Sequence, residues 1–166
     1  HTAYKPRVSE TRTLTRPGHA PEIITWCEPD SLKTFCDDIA ELRSSCDILI
    51  CSNHWGCDHD VLQYMEQAGR SAIDAGADVV MGHGPHFPLG IEVYKNKPIF
   101  YSLGSFSFHT GHGAKKHPDW IGMMTILTGD GSEIVEARFD LVRHNQNNEK
   151  YFVSPAEETL ELEAIY

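Results

Sequence analysis

Apolar residues recur at helical spacing in two stretches of the first half of the chain. Residues 31–45 and residues 61–75 each place apolar side chains three or four positions apart, so that one helix face collects them. These positions are Leu32, Phe35, Ile39 and Leu42 in the first stretch, and Leu62, Met65, Ala68 and Ala72 in the second. The pattern predicts two helices, the first capped by Asp30 or Ser31 and the second stopped by Gly76.

A short apolar run bounded by polar residues follows each predicted helix. Residues 47–52 and residues 78–81 have this form, which is typical of central strands in a parallel sheet. The order helix, strand, helix, strand with short links predicts right-handed parallel crossovers. We therefore expect the first half of the domain to be α/β.

The second half of the chain has the pattern of antiparallel hairpins. The paired stretches are residues 90–94 with 98–102, and residues 120–128 with 132–142. Their links, Lys95-Asn96-Lys97 and Gly129-Asp130-Gly131, favour turns. Between the hairpins, residues 103–118 are rich in glycine, serine and histidine, which predicts a loop across the site. The expected fold class is α/β, with parallel strands and crossover helices followed by antiparallel hairpins.

The two ends of the chain lack a sustained apolar period. Residues 1–29 are proline-rich and basic, and we expect an extended arm or loop, either a flexible lead-in or an active-site loop whose arginines meet an anionic substrate. Residues 154–166 are acidic, which predicts a solvated helix or disorder. Residues 30–153 remain as one domain, since a chain of 166 residues is too short for two ordinary ones.

Charge and cysteine content limit the classes of binding partner and the cellular compartment that we expect for this chain. A net charge of -10 argues against nucleic acid or an anionic membrane, because both favour a basic surface. No apolar run approaches the roughly 20 residues that a membrane helix needs. The five cysteines show no CxxC spacing, so neither a disulfide framework nor a zinc knuckle is indicated, and we expect a reducing, cytoplasmic compartment. The chain opens at His1 rather than Met, so we expect further sequence upstream.

Histidines are concentrated in the middle of the chain. Seven of the ten lie between residues 52 and 120, in segments predicted as loops after strands. His54 follows the first predicted strand, and His83 and His86 follow the second. The carboxyl ends of neighbouring parallel strands meet at one edge of a sheet, so we expect three imidazoles to converge there as ligands of a divalent metal: zinc, manganese or iron. The alternative is that these histidines are hydrogen-bonded turn residues.

Four segments of the chain together carry a family resemblance. They are residues 52–56, which read Ser-Asn-His-Trp-Gly, and residues 74–86, 90–94 and 98–106. The series resembles the CapA family, proteins related to poly-γ-glutamate capsule synthesis whose fold is similar to that of calcineurin-like metallophosphoesterases. The resemblance implies that the chain is part of such a sandwich, with His54 in the fourth phosphoesterase motif and His83 and His86 in the fifth.

Three positions depart from the family pattern. Gly84 stands where the family usually has a histidine, Ser105 where it usually has an asparagine, and His59 where it often has an aromatic residue. These departures suggest a divergent branch. The resemblance also implies an amino-terminal half, with an early aspartate motif and an Asn-His motif, that this sequence lacks. We therefore expect a partner, either the amino-terminal half of the same protein or a companion chain.

The first functional hypothesis is a metal-dependent hydrolase that acts on a phosphoester or a polyglutamate-like amide of a small-molecule or peptide substrate. The metal would polarise a phosphoryl or carbonyl oxygen and lower the pKa of a bound water. By the resemblance, His54, His83 and His86 would be its ligands. His59 or His109 would protonate the leaving group. The residues that could orient the substrate are Tyr101, Ser102, Ser105, Lys115 and Lys116.

Two alternative functions stay open. Relatives of the family resemble peptide epimerases that act on lasso-peptide precursors, in which a histidine and a carboxylate on opposite sides of an alpha carbon exchange its proton without a metal. A non-catalytic polymer-handling component would instead bind an anionic chain through the basic arm and the loop with Lys115 and Lys116. The net negative charge argues against this second alternative. An exposed loop also explains the two lysines.

Overall fold

A computed structural model gives the fold of the chain. It describes residues 2–5, 8–9, 12–15, 22–56, 59–107, 121–147, 149–159 and 163. Three predicted site residues, His109, Lys115 and Lys116, lie outside these described residues. Within the described ranges, no helix is both long enough and apolar enough to cross a membrane.

Short paired strands occupy the described part of the first 25 residues. β1 (Thr2–Lys5) pairs antiparallel with β4 (Glu22–Thr25), and β2 (Val8–Ser9) pairs antiparallel with β3 (Arg12–Thr15). The predicted arm or loop is thus corrected to two pairs of strands. Strands of two to four residues are too short to show an alternating pattern, and pairing between segments distant in sequence leaves no local signal.

The first helix, α1 (Pro29–Arg43), begins two residues earlier than predicted. Pro29 occupies a first-turn position, where its missing N–H costs little. The carboxylate of Glu28 caps the helix by accepting hydrogen bonds from the backbone N–H of Asp30 at 3.2 Å and of Ser31 at 2.7 Å. The predicted caps, Asp30 and Ser31, are wrong because Glu28 satisfies both of their amides.

A four-stranded sheet forms the centre of the fold. Its strands are β5 (Ile50–His54), β6 (Val79–His83), β7 (Pro88–Tyr94) and β8 (Lys97–Leu103), in the order β5-β6-β8-β7. β5, β6 and β8 are parallel, and α2 (Gln63–Ala75) connects β5 to β6. β7 is antiparallel to β8. The predicted α/β fold, with parallel strands and a crossover helix, is confirmed.

A second, antiparallel sheet follows. It contains β9 (Ile121–Asp130), β10 (Glu133–His144) and β11 (Lys150–Val153), in the order β11-β10-β9. Both predicted hairpins are confirmed, and β11 is an additional strand. In the β7–β8 turn, Lys95 and Asn96 have φ values of 50° and 62°, the left-handed pair that a two-residue hairpin requires.

The helices cover one face of the four-stranded sheet. The buried residues of this core include Ile39, Met65, Ala72 and Ile73 from the helices and Val80, Ile99 and Tyr101 from the strands. A smaller core, made by Ile121, Met123 and Leu141 with Ile91 and Leu103, joins the two sheets. Fully burying one large apolar side chain contributes about 1.5–3 kcal/mol, so these clusters hold the sheet in place. The carboxyl ends of β5 and β6 lie at one edge of this framework.

The acidic end of the chain is anchored by an ion pair. The carboxylate of Glu158 accepts hydrogen bonds from Nε of Arg143 at 2.6 Å and from its Nη2. Their side chains are only 9% and 14% exposed. The prediction of a solvated tail is therefore corrected at Glu158, because its carboxylate is buried and pairs with a partly buried guanidinium on β10.

Candidate functional site

His54 and His83 end two adjacent parallel strands and are register partners. Neighbouring strands lie about 5 Å apart, so the sheet carries the two residues side by side. Cys51 and Val80, three residues earlier on the same strands, pack into the core beneath the helices. Because side chains alternate along a strand, His54 and His83 project from the opposite face. The structure brings these two predicted ligands together, with His54 exposed and His83 partly buried.

Trp55 fixes the end of β5 beside this pair. Its backbone N–H donates to the carbonyl of His83 at 2.7 Å, which extends the ladder by one bond. Its indole Nε1 donates to the carbonyl of Tyr101 at 2.7 Å, and only 8% of Trp55 is exposed. The next residue, Gly56, donates its N–H to the hydroxyl of Tyr64 on α2. The segment that follows His54 is therefore tied to both the sheet and the helix.

The loop after β6 lies directly against Trp55. Gly84 has a φ of +125°, and a Cβ at this position would lie 2.1 Å from the carbonyl oxygen of Trp55. A Cβ at Gly82 would lie 2.0 Å from the carbonyl oxygen of Tyr101. Neither position accommodates a side chain in this conformation. The close approach gives a physical reason for Gly84 where the family usually has a histidine.

His86 contacts a buried serine. Its Nδ1 lies 3.1 Å from the hydroxyl oxygen of Ser105, and Ser105 is 7% exposed. Ser105 follows β8, two residues after its last residue, Leu103. His86, a predicted metal ligand, and Ser105, a predicted substrate-binding residue, are thus hydrogen-bond partners.

His59 lies against the loop that carries His86. Its ring stacks on the ring of Phe87, with centroids 3.9 Å apart and an interplanar angle of 30°. Phe87 is the neighbour of His86 in the chain. The structure therefore places His59, the predicted general acid, next to the loop that contains His86. His59 follows β5 in the chain, whereas Phe87 follows β6.

Tyr101 is not brought to the histidine pair. Its side chain packs in the core beneath the helices, and its hydroxyl donates to the carboxylate of Glu92, which also accepts from Nε of Arg70 at 2.8 Å. Burial raises the pKa of the Tyr101 hydroxyl well above its ordinary value, and Glu92 raises it further. Tyr101 lies on the face of the sheet opposite His54 and His83, so it does not orient a substrate there.

Ser102 is fully buried within the strand framework. Its hydroxyl donates to the carbonyl of Pro85 at 3.1 Å and accepts from the N–H of Gly104 at 3.2 Å. These two bonds connect the loop before His86 to the segment before Ser105. The geometry gives Ser102 a role in holding the two segments together, in place of the predicted contact with substrate.

The described residues fit part of a metal centre. His54 and His83 offer two imidazole nitrogens on one face, and imidazole is a ligand of zinc and iron. Across the described portion of the chain, no group of three or more His, Cys, Asp or Glu residues is placed to hold a metal ion. A complete ligand set on this edge would need donors from outside the described residues.

Two aromatic residues for which the sequence predicted no role organise the site. Trp55 holds the end of β5, and Phe87 carries the ring of His59. Trp55 lies in the Ser-Asn-His-Trp-Gly segment that carries the family resemblance, and Phe87 directly follows His86 in its loop. Gly82 and Gly84 are a further signal in the sequence, because glycine is favoured where another part of the chain approaches the backbone closely.

Comparison with known proteins places the chain in a family. The model of the family described as "Bacterial capsule synthesis protein PGA_cap" matches residues 2–110, well over half of the chain. The chain belongs to this family, which confirms the resemblance to CapA proteins. The match begins at residue 2, so it includes the short strands β1 to β4, and it ends before β9.

Three curated relatives support the assignment. The "PGA biosynthesis protein CapA" of Bacillus subtilis (strain 168) is 41% identical over 85 residues, 50% of this chain and 22% of that protein. The "Capsule biosynthesis protein CapA" of Bacillus anthracis is 38% identical over 71 residues, 42% of this chain and 17% of that protein. A "Probable polyglutamine synthesis accessory protein" of Mycobacterium tuberculosis (strain CDC 1551 / Oshkosh) is 44% identical over 63 residues, 35% of this chain and 16% of that protein. The chain thus spans about a fifth of the length of the relatives it matches.

Proposed function

We propose that this chain supplies the carboxyl-terminal part of a metal-dependent hydrolase site. His54 and His83 would bind a divalent ion, zinc, manganese or iron, at the edge of the sheet. The observation that carries the proposal is their register pairing on adjacent parallel strands, which presents two imidazoles on one accessible face. Such an ion polarises a phosphoryl or carbonyl oxygen and lowers the pKa of bound water.

His59 would act as the general acid. Its ring is held by the stack on Phe87, beside the loop with His86, so a proton on the ring could pass to a leaving oxygen or nitrogen at this edge. Proton transfer of this kind contributes about 10²–10⁴-fold to a rate. Trp55 would support the same edge by holding the end of β5 against β6 and β8.

The remaining part of the site would come from the amino-terminal half of the same protein or from a companion chain. Two observations support this partner. Among the described strands, β5 is the outer strand of its sheet, and Ile50 on it is 44% exposed. An unpaired strand edge favours pairing with a further strand, and the exposed side chain of Ile50, on the same face as His54, favours cover by a further layer. The relatives are also several times longer than the part that they share with this chain.

The proposed substrate is a phosphoester or a polyglutamate-like amide. The amide is favoured by the names of the relatives, which refer to PGA biosynthesis and to polyglutamine synthesis. A hydrolase in a biosynthetic system would cut or release polymer rather than make it.

Hydrolysis assays on the intact protein test this proposal. The protein is stripped of metal with a chelator, reloaded with zinc, manganese or iron, and incubated with poly-γ-glutamate and with bis(p-nitrophenyl) phosphate. We expect cleavage of one substrate that depends on the metal and is lost in His54→Ala and His83→Ala. Ser52→Ala is the matched control, because Ser52 lies two residues before His54 on the same face of β5. Activity that survives both histidine variants contradicts the proposal.

The same incubation in heavy water distinguishes the epimerase alternative. An epimerase would place deuterium on the alpha carbon of a peptide substrate without cutting any bond. Deuterium incorporation without cleavage, at a rate that metal removal leaves unchanged, would overturn the hydrolase proposal in favour of that alternative.

A further inference from the structure

The contact between His86 and Ser105 has the features of an orienting pair. Ser105 is 7% exposed, and its hydroxyl oxygen lies 3.1 Å from Nδ1 of His86. A histidine that binds a metal or a substrate with one nitrogen commonly has its other nitrogen bound by a protein group, which sets the tautomer and the ring direction. The distance and the burial both suit that arrangement.

Ser105 is itself held on both sides. Gly104 forms a β-bridge with Gly122 of β9, and a Cβ at Gly122 would lie 2.7 Å from the carbonyl oxygen of Ser105. On the other side, the hydroxyl of Ser102 bonds both the N–H of Gly104 and the carbonyl of Pro85, the residue before His86. The serine and the histidine loop therefore share one fixed framework, which an orienting group requires.

The geometry points to Ser105 as the positioning residue of His86: the serine hydroxyl accepts a hydrogen bond from Nδ1–H and leaves Nε2 as the nitrogen that meets the metal or the substrate. This inference rests on the proposed function, since it gives His86 a place in that site. Ser105 stands where the family usually has asparagine, and a hydroxyl and an amide oxygen can both accept from an imidazole N–H. The substitution would therefore keep the orienting bond while shortening the side chain.

The tautomer of His86 in the metal-free protein tests the inference without reference to activity. Long-range proton–nitrogen correlation spectra of the histidine rings identify which nitrogen carries the proton, at a pH above the ordinary imidazole pKa of about 6.5. We expect His86 to be protonated on Nδ1 in the natural protein and in Ser105→Thr, which keeps the hydroxyl. In Ser105→Ala we expect a mixture of both tautomers. An unchanged His86 spectrum in Ser105→Ala overturns the inference.

Two further variants control this experiment. Ser107→Ala removes an exposed hydroxyl two residues away and should leave the His86 spectrum unchanged. Ser105→Cys keeps the volume of the side chain but offers only a weak sulfur acceptor, so it replaces Ser105→Ala if that variant fails to fold. The mixture of tautomers is expected in Ser105→Cys as well, and a single Nδ1–H tautomer there contradicts the inference.

Zinc titration of the same variants separates this inference from the proposed function. If Nε2 of His86 meets the metal, Ser105→Ala should weaken zinc binding about 10–100-fold, the usual effect of losing a group that orients a ligand, and Ser105→Thr should restore most of it. If the natural protein binds none of zinc, manganese and iron, the proposed function fails while the tautomer comparison still decides the role of Ser105. If zinc binds equally well to Ser105→Ala and to the natural protein, the proposed function stands, Nε2 of His86 does not meet the metal, and the tautomer comparison decides whether Ser105 orients His86 toward the substrate.

Discussion

The indole of Trp55 donates a hydrogen bond to the carbonyl of Tyr101 at 2.7 Å, and this bond joins two strands that are not neighbours. Trp55 follows β5 and Tyr101 lies in β8, with β6 between them. The indole crosses β6 at Gly82, where a Cβ would lie 2.3 Å from Nε1. One side chain therefore spans the three parallel strands at the edge where His54 and His83 meet.

Replacing this indole should destabilise the fold measurably. Trp55→Phe keeps an aromatic ring but removes the donor, leaving the buried carbonyl of Tyr101 without this bond, at a cost of about 1–3 kcal/mol in the free energy of unfolding. Urea denaturation followed by circular dichroism measures the loss. Trp26→Phe is the control, since Trp26 is 40% exposed, and it should lose clearly less. Equal losses of unfolding free energy in the two variants would show that the hydrogen bond of the Trp55 indole does not stabilise the fold.

Gly84 should tolerate no side chain, for two separable reasons. A Cβ would be strained at a φ of +125° and would also collide with the carbonyl oxygen of Trp55. Gly131 also has a positive φ, +66°, but a Cβ there meets nothing within 4 Å. We expect Gly131→Ala to cost only the backbone strain, about 1–2 kcal/mol, and Gly84→Ala to cost more in thermal or urea denaturation. A smaller loss for Gly84→Ala would show that the loop can move away from Trp55.

The order and type of the central elements could be predicted because their signals are local. The apolar faces of the two helices and the short apolar runs of β5 and β6 gave the parallel crossover. The strands before α1 could not be predicted, since β1 pairs with a segment some twenty residues later and neither shows a period. The start of α1 was missed for a chemical reason: the carboxylate of Glu28 reaches the amides that nearer residues were expected to cap.

Asp78 should make stability depend on pH in the acid range. It accepts hydrogen bonds from Nη1 of Arg43 at 2.6 Å, Nζ of Lys97 at 2.9 Å and the N–H of Leu49 at 2.9 Å. Burial alone would raise the pKa of Asp78, but these hydrogen bonds outweigh it and the net pKa is lowered. The stabilisation is therefore fully present above the unfolded-state pKa of about 3.9, and is lost as pH falls through the lower pKa of the folded state.

The variant Asp78→Asn tests whether the stabilisation by Asp78 is lost toward acid pH. At neutral pH it should lower the free energy of unfolding by about 1.5–3 kcal/mol, the range for a hydrogen bond to a charged group. The difference from the natural protein should shrink in urea titrations carried out well below about pH 4. Asp37→Asn is the control, because its ion pair with Lys33 is exposed and should contribute at most about 0.5 kcal/mol. A difference that grows toward acid pH would contradict the assignment.

Glu158 should hold the end of the chain to β10. Glu158→Ala removes this partner from the partly buried guanidinium of Arg143, which we expect to cost about 1–3 kcal/mol. We also expect residues after Val153 to be cut faster by protease. Glu157→Ala changes the exposed neighbouring carboxylate, which accepts a long hydrogen bond of 3.3 Å from the N–H of Ser154, and it should affect thermal stability and cleavage clearly less than Glu158→Ala. Equal behaviour of the two variants would mean that the ion pair does not anchor this segment.

The sequence predicted which residues lie at the candidate site better than it predicted the contacts between them. The pairing of His54 with His83 follows from two strands that end in histidines, because parallel neighbours share an edge. The role of Tyr101 could not be predicted, since a shift of one position along a strand reverses its face and only the core residues define that face. The bond between His86 and Ser105 joins two loops, whose relative placement depends on both sheets.

The most direct test of the proposed metal site is calorimetric titration of the metal-free intact protein with zinc, compared among the natural protein, His54→Ala, His83→Ala and Ser52→Ala. We expect tight binding to the natural protein and to Ser52→Ala. Each histidine variant should bind more weakly, by more than the roughly 10–100-fold that loss of an orienting group costs. Zinc affinity that is unchanged in both His54→Ala and His83→Ala would contradict the proposal that these register partners bind the metal.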